Sequence, residues 1–190
     1  YQLRTPTGKI EYYSTFIAEN FPNDKVRGPV AHWIEEAADG HDDRISSPRA
    51  KDYPFLLVTN HPRWRVHANH DDVHWFRELA TGKVKGPDGY GYEPLYVNPK
   101  DAANLGLADG DIAGIFNERG MVLGGVVLTE RVMPGTVSQD HGARIDSIIP
   151  GMGGLDRGGS NNLICPSATT SANCRGEVTN SFLVGVKKVD

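Results

Sequence analysis

Residues 59–76 read TNHPRWRVHANHDDVHWF. They hold four of the chain's seven histidines, with two arginines, two aspartates and two tryptophans. His67, His70 and His74 stand at i, i+3 and i+7 and would share a face if all were helical. With Asp71 they would offer zinc or iron an imidazole and carboxylate donor set. Asp71 and Asp72, however, read as the acidic first turn of a helix, which leaves His67 and His70 in the loop before it. That arrangement favours recognition over coordination, and no residue is assigned as a metal ligand. Arg63 and Arg65 each present a planar five-donor fork suited to phosphate or to the edge of a ring. Histidine donates or accepts as its partner demands.

Two further clusters could do chemistry. SQDHGAR, residues 138–144, sets His141 beside Asp140, a pair that could serve acid–base work or simply form a polar loop. GGSNNL, residues 158–163, offers Asn161 and Asn162, whose amides pair a donor with an acceptor. The same run is good turn chemistry. Asp109 and Asp111 flank Gly110 and shape a turn, and Trp64 and Trp75 are expected to pack. Cys165 and Cys174 lie nine positions apart, which is not a zinc spacing, and are expected to be reduced.

The 190 residues suit one domain with an extended arm. A net charge of -4 gives no bulk electrostatic case for nucleic acid or an anionic membrane. No apolar run reaches the length of a membrane span. The 22 glycines and 12 prolines favour short strands and many turns over a helical bundle.

Residues 1–52 read as an arm, in which KIEYYS could form a strand, Ser14 could cap a helical turn through Phe21, and VAHWIEEAA could be helical. PFLLVTN is a buried strand by its apolar run. DDVHWFREL is a helix with Val73, Phe76 and Leu79 on one face, and residues 81–94 form a loop. LYVNP is a strand, and PKDAANLGL is a helix with Pro99 in its first turn and Gly106 past its end. Ile112–Phe116, a turn over 117–120 and Met121–Thr129 make a hairpin. MPGTVSQDHG adds a strand, residues 151–162 a glycine-rich loop, and SFLVGVKKV a closing strand. The sum is a small β-barrel with inserted helices.

Several phrases together resemble the last domain of the molybdenum and tungsten enzymes of the dimethyl sulfoxide reductase family. TPTGKIEYYS resembles the entry to that domain. LLVTNHPRWRVHAN resembles its first strand and cofactor loop, and LYVNPKDAANLGLADGDIAGIFNERG resembles its most recognisable run. MPGTV, GGSNNLICP and FLVGVKKV follow in the family's order. Within the family, the arm and the NHPRWRVHANHDD loop look most like large subunits of pyrogallol–phloroglucinol transhydroxylase.

The resemblance implies a mainly β fold with small helices: a six-stranded double-psi β-barrel over residues 53–190, entered by an arm over residues 1–52. It implies a lid over bis(molybdopterin guanine dinucleotide) carrying molybdenum or tungsten. By family position the cofactor loop is Asn60, His61, Pro62, Arg65, His67, Ala68 and Asn69, where Ala68 replaces a common serine. His141, Asn161, Asn162 (favoured over Asn161), Gly176 and Glu177 complete the implied cofactor contacts, and no residue is catalytic. The implied whole is an oxidoreductase or transhydroxylase large subunit, with the preceding domains of the same chain and an iron–sulfur small subunit as partners. The compartment would be prokaryotic cytoplasm or periplasm, cytoplasm favoured. On this reading the chain is a fragment, inactive and without cofactor when isolated. A free-standing double-psi barrel subunit or interaction module is the alternative, and a histidine-based metal hydrolase a third.

Overall fold

Phe55 and Leu57 are buried, whereas Leu56 and Val58 are only partly so. This strand thus shows the two-residue alternation of a barrel wall rather than the full burial its apolar run suggests. It is β1 (Phe55–Val58) in a computed structural model that describes residues 2–24, 27–32, 45–167, 169–171, 173–177 and 181–189. The side chains of residues 170, 171, 174, 175 and 177 lie outside that description, as does most of VAHWIEEAA. The chain divides into two compact units, Tyr1–Asp42 with Ser167–Val178, and Asp43–Pro166 with Thr179–Asp190.

The first unit contains helix α1 (Thr15–Asn20), whose N-terminus is capped as expected by the Ser14 side chain accepting from the Ile17 amide. KIEYYS is not a strand. Among the described residues it pairs with no other strand, and Ile10 and Tyr12 are 71% and 84% exposed.

In the second unit, α2 (His74–Arg77) follows β1 and is a single turn rather than the expected longer helix. Its start is delayed because Asp71 is drawn into a buried ion cluster. Trp75 is 82% exposed, so it does not pack. The expected loop at 81–94 carries a small hairpin, β2 (Val84–Lys85) and β3 (Gly91–Tyr92). Next come β4 (Pro94–Val97) and α3 (Pro99–Leu105). Asn98 accepts from the Lys100 amide at 3.0 Å, Pro99 opens α3 without wasting a donor, and Gly106 closes it at φ 65°.

The hairpin β5 (Ile112–Asn117) and β6 (Gly120–Leu128) forms as read from sequence, followed by β7 (Thr136–Gln139) and β8 (Ser147–Ile149). The glycine-rich loop contains β9 (Gly154–Asp156) and a 3-10 turn over Asn161–Leu163. In the first unit, β10 (Thr169–Ser171) pairs with β11 (Cys174–Glu177). The closing strand β12 (Phe182–Lys188) returns to the barrel. Asp109 and Asp111 shape the turn before β5 by accepting from the Leu128 and Ala108 amides at 2.9 and 2.8 Å.

The barrel ring runs β4-β7-β1-β12-β5-β6 and closes through a β6–β4 pairing, while β9 and β8 extend from β6. The pairs β1–β7 and β4–β6 are parallel and the other ring pairs antiparallel. Exchanging β1, β4, β5 with β6, β7, β12 leaves this ring unchanged and swaps the two parallel pairs. That internal twofold is the double-psi β-barrel. Its interior is filled by Leu57, Leu95, Val97, Ile115, Val122, Val137 and Val184, each with no exposed surface. Among the described residues no helix is long and apolar enough to cross a membrane.

Candidate functional site

Because β1 and β7 are parallel, the loops that leave their C-terminal ends emerge on the same end of the barrel. Two hydrogen bonds cinch those ends. The His141 amide donates to the Asn60 carbonyl at 3.0 Å, and Asn60 Nδ2 donates to Ser138 Oγ at 2.7 Å. The loop after β1 brings His61 and His67, and the loop after β7 brings His141.

These three imidazoles meet. Ring centroids lie 4.9 Å apart for His61–His67, 4.4 Å for His61–His141 and 5.0 Å for His67–His141. His141 Nε2 and His67 Nδ1 are 2.9 Å apart, so one ring carries the shared proton and the other accepts it. His67 adopts φ 51°, costly for a residue with a Cβ, at a turn closed by the Asn69 amide on the Val66 carbonyl at 2.8 Å. Gly142, at φ 85°, lies directly against the His67 carbonyl and leaves no room for a side chain.

The trio walls a cleft of about 400 Å³ that is also lined by Thr59, Ala68, Gly142, Asn161, Asn162 and Cys165. Asn161 is 4% exposed. Its Nδ2 donates to the Gln139 and Asp140 carbonyls, both at 3.3 Å, while its Oδ1 has no partner. A buried acceptor left open is costly, and this one belongs to a residue of the cleft lining. A smaller cleft of about 200 Å³ near Val84, Pro94, Tyr96 and Val127 is mostly apolar; its one cation, Lys83, is already paired.

Burial, then the neighbouring His61 and His67, holds His141 below the ordinary histidine range, so it is neutral at neutral pH. The folded chain therefore binds this proton less readily than the unfolded chain. Stability is full above about pH 6.5 and falls as pH drops through the lowered folded value. Urea midpoints between about pH 7.5 and 5 are expected to decline, and His141→Gln to flatten that part of the decline.

Arg65 does not reach the cleft. Its guanidinium is 6% exposed and donates to Glu93 at 2.9 and 3.1 Å, to Asp71 at 3.3 Å and to the His141 carbonyl at 2.9 Å. Lys83 bonds both Glu93 and Asp71 in the same cluster. Burial alone would raise Asp71, but the Arg144 amide and the Lys83 and Arg65 charges hold it below the usual carboxylate range. Asp140 is pushed up by burial and by the Glu93 charge. The ring partner of His141 is His67 rather than Asp140, so the Asp–His acid–base pair is not assembled.

Of the sequence-derived residues, His61, His67, Ala68, His141, Asn161 and Asn162 line one cleft. Asn60 braces the strand ends, and Pro62 and Asn69 are loop residues outside the lining. Asn161, not the exposed Asn162, carries the open buried acceptor. Gly176 and Glu177 lie in β11 of the other unit, and the Glu177 side chain is outside the described residues. The histidine set drawn from spacing is not assembled: the His70 ring lies tilted against Phe76 with centroids 5.8 Å apart, and His74 pairs with Glu78 at 3.1 Å. Sequence reasoning missed Glu93 and Lys83. A glutamate between Tyr92 and the apolar strand 94–97 was the available signal.

Residues 55–181 match the family described as Molydopterin dinucleotide binding domain. The chain is 34% identical over 187 residues to the dimethyl sulfoxide/trimethylamine N-oxide reductase of Cereibacter sphaeroides, covering 98% of this chain and 21% of that protein. It is 32% identical over 187 residues to trimethylamine-N-oxide reductase 1 of Escherichia coli K12, covering 98% and 20%. It thus spans about a fifth of the length of these relatives. Among solved structures, acetylene hydratase from Pelobacter acetylenicus superposes with a TM-score of 0.68 at 17% identity, over 97% of this chain and 24% of that one.

Proposed function

This chain belongs to the Molydopterin dinucleotide binding domain family, and from that premise we propose that the histidine cleft grips one heterocycle of bis(molybdopterin guanine dinucleotide). The observation that carries the proposal is the buried, unpartnered Oδ1 of Asn161, a residue of the cleft lining that a small side-chain turn would present to the cleft. It accepts from a ring N–H or amino group, which pterin and guanine both present. The donor set fits a flat polar heterocycle. The imidazoles of His61, His67 and His141 donate or accept at its edge, and Ala68 and Gly142 leave room for its face. Arg65 is a positioning residue that fixes the His141 carbonyl from behind. When bound, the dinucleotide supplies the dithiolene sulfurs that hold molybdenum or tungsten. The chain's own work is to bind, orient and exclude water, and none of its residues is assigned a catalytic step.

In this reading the barrel is the lid of a larger oxidoreductase or transhydroxylase subunit, joined by an iron–sulfur partner. Reduction of an S- or N-oxide, the chemistry named for the two reductases, is the leading activity of that whole. Cofactor retention tests the proposal. In the full subunit, Asn161→Leu should lower the guanine nucleotide retained per chain, with about a tenfold loss of affinity for one lost hydrogen bond. Release on denaturation measures it, with circular dichroism as the check on folding. Full retention by a folded Asn161→Leu subunit would remove the basis of the proposal.

A further inference from the structure

The coordinating atoms of His61, His67 and His141 all lie within 4.8 Å of one another. Zinc binds imidazole nitrogen at about 2.0–2.1 Å, which sets tetrahedral donor separations of roughly 3.3 Å. The His141–His67 pair, at 2.9 Å, is already inside that range. His61 and His67 are exposed and can turn about their side-chain bonds to complete the set. The pair shares one proton, and the third ring stands edge-on to it with its centroid 4.4 Å from His141. The ring nitrogens of all three imidazoles converge, and a cation could accept a lone pair from each.

We propose that His61, His67 and His141 form a divalent transition-metal site whose fourth position opens into the cleft. The donor set contains no carboxylate, so zinc, cobalt, nickel and copper suit it, and magnesium and calcium do not. The nearby Arg65 charge does not oppose the cation, because Glu93 pairs with it directly. Two loops that meet only in the folded barrel supply the ligands, so binding reports the fold as well as the site. The ion would use the side chains proposed to hold the heterocycle. Metal and dinucleotide are therefore alternative occupants.

Cobalt titration of the metal-free chain is the test. One equivalent per chain is expected to give the visible absorption of four-coordinate cobalt, which added zinc abolishes. His61→Ala and His67→Ala, both at exposed rings, should weaken binding at least about a hundredfold. The double variant His70→Ala/His74→Ala should bind as the parent does. Loss of binding in that double variant, equal binding in all variants, or no stoichiometric cobalt would overturn the proposal. Each of those results would leave the heterocycle reading standing, because dinucleotide retention is measured separately.

Discussion

Glu93→Ala is expected to cost the fold about 3–5 kcal/mol, measured as the shift in urea unfolding free energy. Glu93 is 1% exposed and answers two cations, Arg65 and Lys83, that are 6% and 7% exposed. With the glutamate removed, Asp71 is left as the one carboxylate facing both of them. The cost comes from uncompensated buried charge rather than from the pair's own attraction, and a comparison makes that distinction. Glu93→Ala combined with Lys83→Met restores the balance of one cation to one anion. It should recover a large part of the loss if charge imbalance is the cause. No recovery would place the cost in lost packing instead. Because Arg65 also holds the His141 carbonyl, Glu93→Ala should disturb the histidine trio as well.

Gly142→Ala carries the second large effect, about 1–3 kcal/mol, with the damage confined to one end of the barrel. Gly142 sits at φ 85°, and an added Cβ would fall inside the van der Waals shell of the His67 carbonyl and the Ala68 amide. Those atoms are backbone, so the His67 turn must move to accept it. The ring signals of His67 and His141 should shift in NMR spectra, while the amide signals of Leu57, Val122 and Val184 in the barrel wall stay in place. Unmoved histidine signals would mean that the β1 and β7 loops are looser than their contacts suggest.

The barrel was legible wherever local chemistry and the tertiary partner agree. Asn98, Pro99 and Gly106 write the start and stop of α3 in their own side chains and torsions. The β5–β6 hairpin announces itself by two apolar runs around a tight turn. The ion cluster was not legible in the same way. Asp71 looked like a helix-start carboxylate because sequence shows its neighbours Asp72 and Val73 but not Lys83, Glu93 and the Arg144 amide. Arg65 shows the same limit: its fork suits a phosphate in sequence, and in the fold that fork donates to the buried Glu93.

The histidines show the limit most clearly. Spacing groups His67 with His70 and His74, whereas the parallel β1–β7 pairing groups it with His61 and His141, a residue 74 positions away. Family order had placed His141 and Asn161 near the cofactor without saying what they touch. The open Oδ1 of Asn161 depends on which of its amide atoms the Gln139 and Asp140 carbonyls occupy, and only the folded chain decides that.

The central claim is that the cleft of His61, His67, His141 and Asn161 binds one heterocycle of the dinucleotide. Histidine-ring nitrogen NMR on the metal-free, isotope-labelled chain tests it most directly, with molybdopterin guanine dinucleotide added to saturation. The ring signals of His61, His67 and His141 are expected to move together while those of His70 and His74 stay fixed. Unmoved signals from the trio, or changes confined to His70 and His74, would contradict the account.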